Sequence, residues 1–151
     1  MLDRLRHVFK CLHSHDAKYV VIGGIAAVLY GVPRATFDLD ILIEATPDNA
    51  TRVLDALLAA GLGTASLTTA EGVLANDITV FKDRVPIDVL TKTPGLDFAM
   101  AWRNRQTMEY EGQKFFVASR DDLIASKRAA GRAVDLADVR LLESKQGPER
   151  G

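Results

Sequence analysis

The chain has 151 residues, 48% of them apolar, with 19 basic and 20 acidic side chains and a formal net charge of −1. That length and composition fit one globular domain with its own core and exclude a disordered or fibrous chain. The balance of charge excludes a broad nucleic-acid footprint, and the single cysteine, Cys11, excludes an intramolecular disulfide and fits a reducing compartment. The first residues are charged, and no apolar run reaches the ~20 residues of a membrane-spanning helix. A cytoplasmic protein without a membrane partner is expected, with one domain over residues 1–144 and a flexible tail over 145–151.

Leu2 to His15 reads as an amphipathic helix with Leu2, Leu5, Val8, Phe9 and Leu12 on one face and Cys11 at its border. His7, His13 and His15 invite a metal reading. None is paired with another at i,i+4, and 13 and 15 project to nearly opposite sides, so solvated or helix-end histidines are expected. Tyr19 to Ile22 is rich in β-branched residues and reads as a strand. Gly23-Gly24 breaks it, and an apolar segment of helical character follows. The glycines have two readings: a tight turn, where glycine is the default, or a place where a phosphate approaches backbone N–H groups at a helix N-terminus.

After Gly31 and Pro33 comes a second strand, Phe37 to Ile43, with Asp38 and Asp40 at alternate positions. Side chains two apart on a strand share a face, roughly 6.5–7 Å apart. Two carboxylates so placed in an otherwise apolar strand repel each other unless a cation sits between them, which points to a hard-metal site at the end of a sheet. Arg34 and Thr36 occupy the connection before this strand. Arg34 is either solvated or a bidentate phosphate contact, and Thr36 holds the loop or packs at the strand start.

Thr46-Pro47-Asp48 opens a helix as N-cap, first-position proline and first-turn acid, with Val53, Leu54, Leu57 and Leu58 as its buried stripe and Gly61 as its end. Residues 62–76 give no assignment. Asp77 to Phe81 and Val85 to Leu90 read as an antiparallel pair. Asp88 interrupts the second strand, either as an edge-strand acid beside Pro86 or as a site carboxylate. A short helix from Leu96 to Arg103 carries Trp102 as a packing anchor, and Thr107–Tyr110 with Lys114–Val117 form a hairpin. Ser119 to Asp122 resembles a capping box. In the helix that follows, Lys127 projects between Leu123 and Ile124 on the apolar face, where a lysine must snorkel or reach an anion. The last helix, Val134 to Ser144, packs Leu136, Val139 and Leu142.

The ordered set Gly23-Gly24, Arg34-x-Thr36, Asp38-x-Asp40 and a later strand acid resembles the nucleotidyltransferase superfamily with the polymerase-beta-like fold. More narrowly, Arg34-x-Thr36-x-Asp38-Leu39-Asp40 resembles the minimal and AbiEii/AbiGii-type bacterial nucleotidyltransferases, many linked to toxin–antitoxin or phage-defence systems. The resemblance spans roughly Lys18 to Leu142. It implies an α/β (α+β) fold, a small mixed sheet flanked by helices, and transfer of a nucleoside monophosphate from an NTP to an acceptor hydroxyl. It implies one or two Mg²⁺ held by Asp38, Asp40 and Asp88, with Gly23, Gly24, Arg34, Thr36 and Lys127 on the nucleotide. The acceptor it implies is a tRNA or other RNA end, a small alcohol such as an antibiotic, or a protein side chain, with a toxin or antitoxin as a partner protein.

Related families also carry a Lys, an Arg and an Asp-x-x-Asp near the C-terminus, matched by Lys127, Arg132, Asp135 and Asp138. The alternative for Arg132 and Asp135 is an ion pair tying two helices together. Many active relatives have Ser after the first glycine, where Gly24 supplies no hydroxyl. Two alternatives stay open: a catalytically degenerate module that binds a nucleotide or a partner protein, and a Mg²⁺-dependent phosphohydrolase with water as nucleophile.

Overall fold

Apolar periodicity switches along the chain between 3.6 and 2, and the elements follow it. The computed structural model describes residues 2–144, so the tail expected over 145–151 lies outside the described residues. In order the elements are α1 (Leu2–Ser14), β1 (Tyr19–Ile22), α2 (Gly23–Leu29), β2 (Leu39–Ile43), α3 (Pro47–Ala59), a 3₁₀ turn (Gly63–Leu67), α4 (Ala70–Ala75), β3 (Ile78–Phe81), β4 (Ile87–Leu90), α5 (Phe98–Asn104), β5 (Gln106–Tyr110), β6 (Gln113–Val117), α6 (Arg120–Ala130) and α7 (Ala133–Ser144). Capping chemistry sets several ends. The Thr46 hydroxyl accepts from the Asn49 N–H ahead of Pro47, and the Ser119 hydroxyl accepts from the Asp122 N–H. Gly131, at φ 69°, closes α6. The β5–β6 turn puts Glu111 and Gly112 at positive φ, the geometry that matches the twist of a two-residue hairpin.

The strands form one mixed sheet in the order β3-β4-β2-β1-β6-β5. β1 runs antiparallel to β2 and parallel to β6, and β2 runs parallel to β4. β4 is therefore interior, and the edge-strand explanation for Asp88 fails: β3 covers it. One face carries Tyr19, Val21, Leu39, Ile41, Ile43, Ile87 and Val89 and forms the main core with α1, α2 and α3. On the other face Val20, Ile22 and Leu42 pack beneath Leu96 and α5. Trp102 anchors that layer, with the Arg105 guanidinium 3.7 Å above its ring. Among the described residues no helix is long and apolar enough to cross a membrane.

The structure departs from the sequence reading at several places, among them the starts of β4, at Ile87 and not Val85, and of α5, at Phe98 and not Leu96. β2 begins at Leu39 and not at Phe37, because β1 gives way to α2 after Ile22 and Pro86 has no N–H to offer. The Leu39 N–H donates to the Pro86 carbonyl at 3.0 Å, and residues 32–38 form a loop with Phe37 and Asp38 exposed. Leu58 is exposed, with Ala56 and Leu57 filling the core in its stead. Leu136 also faces outward, at 38% exposure, because the buried stripe of α7 is Asp135, Asp138, Val139 and Leu142. His13 sits at the helix end but is half-buried: its Nε2 lies 2.8 Å from the Tyr19 hydroxyl, and burial lowers its pKa.

Candidate active site

Parallel pairing of β2 with β4 sets Asp40 directly opposite Asp88, with Ile22 on the far side of Asp40 and Val80 on the far side of Asp88. The two carboxyls are neighbours across the ladder and act on each other electrostatically. Burial, then the neighbouring Asp88 carboxyl, then the Asp38 charge push Asp40 up to about 7, against a smaller opposing pull from Lys127. Burial and the Asp38 charge also raise Asp88, while the neighbouring Asp40 carboxyl acts the other way. The pair therefore retains a proton where isolated carboxyls would not. Asp40 Oδ1 is buried with no hydrogen-bond partner.

Asp38 lies outside this pair, on the loop before β2. Among the described residues no group of three or more His, Cys, Asp or Glu is placed to hold a metal ion. The ladder fixes Asp40 and Asp88 and stops short of residue 38, yet the Asp38 charge still acts on both carboxyls of the pair. The pair still fits a hard cation. Mg²⁺ is usually held by one or two carboxylates plus substrate phosphates, and Asp40 Oδ1 is an acceptor in want of a partner.

Gly23 and Gly24 have structural reasons of their own. Gly23 adopts φ +74°, and a Cβ there would stand 2.2 Å from Asp40 Oδ2. A Cβ at Gly24 would stand 2.7 Å from the Thr36 Oγ1 and 3.1 Å from the Arg34 guanidinium. The space a Ser side chain would fill at 24 is thus taken by the Thr36 hydroxyl.

Lys127 is buried and reaches anions. Its Nζ lies 2.9 Å from Asp138 Oδ2 and 3.8 Å from Asp135 Oδ1, so α6 is pinned to α7. Arg34 grips Asp138 with both prongs, Nε to Oδ1 at 3.2 Å and Nη2 to Oδ2 at 2.8 Å. Burial tends to raise the carboxyl of Asp138, but hydrogen bonds and charge from Arg34 and Lys127 prevail and hold it below its ordinary range. Asp135 behaves alike: burial is outweighed by the Arg132 hydrogen bond and by the charges of Arg132 and Lys127. The Arg132–Asp135 pair is bidentate but local, spanning i,i+3 at the start of α7. Lys127 ties the two helices, together with Arg128 on Glu143 and Arg120 on the Leu142 carbonyl, and Arg132 does not. Asp138 is the hub: the sequence matched it to the Asp-x-x-Asp of related families without giving it a role, and its place with Asp135 on the stripe of Val139 and Leu142 is the second signal.

These groups meet in a cleft of about 240 Å³ lined by Gly23, Gly24, Arg34, Asp40, Asp88 and Lys127, among others. Thr36 and Asp38 do not line it. A cavity of about 390 Å³ behind the 32–38 loop is larger, but it is mostly apolar and contains neither carboxylate of the pair.

A mixed sheet with a carboxylate pair at the start of two parallel strands, beside a glycine turn and clustered cations, defines a nucleotidyltransferase-like domain. The chain belongs to the family described as nucleotidyltransferase of unknown function (DUF6036), which matches residues 2–143. Among solved structures it is similar to a candidate nucleotidyltransferase from Thermotoga maritima, with TM-score 0.60 and 16% identity over 96% of this chain and 93% of that one. It is also similar to an antigenic nucleotidyltransferase-like protein from Paracoccidioides brasiliensis, with TM-score 0.55 and 22% identity over 95% of this chain and 75% of that one. At these identities the likeness is one of fold. No curated protein matches the chain.

Proposed function

We propose that the protein is a Mg²⁺-dependent nucleotidyltransferase, moving a nucleoside monophosphate from an NTP to an acceptor hydroxyl. The observation that carries this is the Asp40–Asp88 pair, held in register by two parallel strands and facing a cleft with Arg34, Lys127 and Arg132 close by. Asp40 and Asp88, joined by Asp38 from its loop, would hold one or two Mg²⁺. The ion, when bound, neutralises charge on the attacking and leaving oxygens. Asp88, with its carboxyl held above the ordinary range, takes the proton of the acceptor hydroxyl. Arg34, Lys127 and Arg132 line the cleft and would neutralise charge on the triphosphate. Thr36 offers its hydroxyl beside Gly24, where many relatives use a serine.

A second reading, a degenerate module that binds a nucleotide or a partner protein such as a toxin or antitoxin, has its own support. Asp38 stands apart from the pair, and the Lys127 charge is already matched by Asp135 and Asp138. Calorimetric titration with each NTP, with and without Mg²⁺, on the native protein and on Asp40→Asn separates them. Mg²⁺-dependent binding that the variant loses, followed by transfer of label to an acceptor, supports the enzyme. Binding indifferent to Mg²⁺, or none, overturns it in favour of the module. Free NMP in the absence of any acceptor would mark a phosphohydrolase instead.

A further inference from the structure

The second face of the sheet is covered unevenly. Over β1 and β2 it lies under Leu96, Phe98, Ala101 and Trp102. Over β3 it is open, with Ile78 45% exposed and Val80 51%, while Leu90 of β4 still packs against that layer. Register puts Val80 directly opposite Asp88 and Ile78 opposite Leu90, so the bare apolar strip begins at the carboxylate pair. Outward positions of an exposed edge strand are ordinarily polar or charged. Ile78, Leu90 and Thr93 line the same cleft as Asp40 and Asp88. None of the cleft residues from β3, β4 or the segment after β4 is basic. The cleft's cations come instead from the loop before β2, from α6 and from the α6–α7 junction, and α6 follows β6 on the far side of β1. The cleft is thus cationic on one side of the acids and apolar on the other.

We infer that the apolar side is the acceptor site, and that the acceptor is an uncharged compound carrying an apolar or planar face next to its hydroxyl. This rests on the transferase reading above. In the transfer, the acceptor oxygen forms a bond to the α-phosphorus and the bond from that phosphorus to the bridging oxygen breaks. Pyrophosphate leaves with the electron pair, and the hydroxyl proton passes to Asp88. The attacking and leaving oxygens lie roughly in line on opposite sides of phosphorus. Pyrophosphate belongs with Arg34 and Arg132, so the acceptor approaches over Asp88 from Val80 and Ile78. The strip's own side chains, Ile78, Val80 and Leu90, are apolar, and Lys82 and Lys92 stand only at its margins, so the surface an acceptor meets there suits an apolar face better than a run of phosphates.

The test incubates the full chain with radiolabelled NTP and Mg²⁺ and offers benzyl alcohol, glycerol or a short oligoribonucleotide with a free terminal hydroxyl. NTP affinity is measured alongside by calorimetry. The expected result is an NMP ester of benzyl alcohol formed with kcat/KM about tenfold above glycerol, since a phenyl ring buried on the strip outweighs a polar triol. Val80→Asn, an exposed position that tolerates the change, should erase that preference by raising KM for benzyl alcohol while leaving NTP affinity unchanged. Preferential extension of the oligoribonucleotide, equal use of glycerol, no ester with any of the three, or an unaltered preference in Val80→Asn overturns the inference while NTP binding leaves the donor site standing. Failure of the native protein to bind NTP overturns the transferase reading and the inference together.

Discussion

Replacing Asp40 by asparagine keeps the shape of the side chain, offers an N–H to the Asp88 carboxylate, and removes one of two adjacent acidic groups. In the folded chain Asp40 titrates at about 7 against an ordinary 3.8, so between these values the folded state holds a proton that the unfolded state has released. Stability therefore falls as pH rises from about 4 to about 7 and is flat above. The rise of about 3 pH units corresponds to at most about 4 kcal/mol at about 1.4 kcal/mol per unit. Water reaches the cleft and the asparagine amide keeps part of the burial cost, so about half of that, ~2 kcal/mol, is the gain expected from the substitution. For a domain of this size that is a Tm rise of about 4–8 °C at about pH 8 without Mg²⁺. Calorimetric melts of both proteins from about pH 4 to pH 8 should show the curves converging at the acid end. The same variant should lose Mg²⁺-dependent NTP binding. A Tm at about pH 8 equal to or below that of the native protein, or an undiminished fall with pH in the variant, would refute the shared-proton account of the pair.

Other substitutions probe the surroundings. Asp138→Ala strands Arg34 and leaves buried Lys127 with Asp135 alone at 3.8 Å, so urea unfolding should show a loss of about 3 kcal/mol. Asp135 and Asp138 are held below their ordinary range, so their contribution is present above about pH 4 and lost below it; melts should decline as pH falls toward about 2. Gly23→Ala forces a Cβ onto Asp40 Oδ2 at positive φ and should cost about 2 kcal/mol in urea unfolding while abolishing Mg²⁺-dependent binding. Leu57→Ala should cost about 3 kcal/mol, whereas Leu58→Ala and Leu136→Ala should stay within about 0.5 kcal/mol, as their exposure requires.

Much of this protein was determined locally. The apolar period marked α1, α3, the β3–β4 pair and the hairpin, and capping residues such as Thr46, Ser119 and Gly131 marked helix ends, because these depend on neighbours a few residues away. The acids at 38, 40 and 88 and the lysine at 127 stood out because each breaks an apolar pattern whose burial cost demands a compensating function or partner. Tertiary structure decided the rest. Register alone set Asp40 against Asp88, and the end of β1 at Ile22 left Asp38 outside the ladder. The stripe on α7 was misread at Leu136 because Asp135 and Asp138 count as polar until a buried Lys127 and a bidentate Arg34 arrive from elsewhere in the chain. That β3 keeps Ile78 and Val80 bare depends on where α5 stops covering the sheet, which no local pattern encodes.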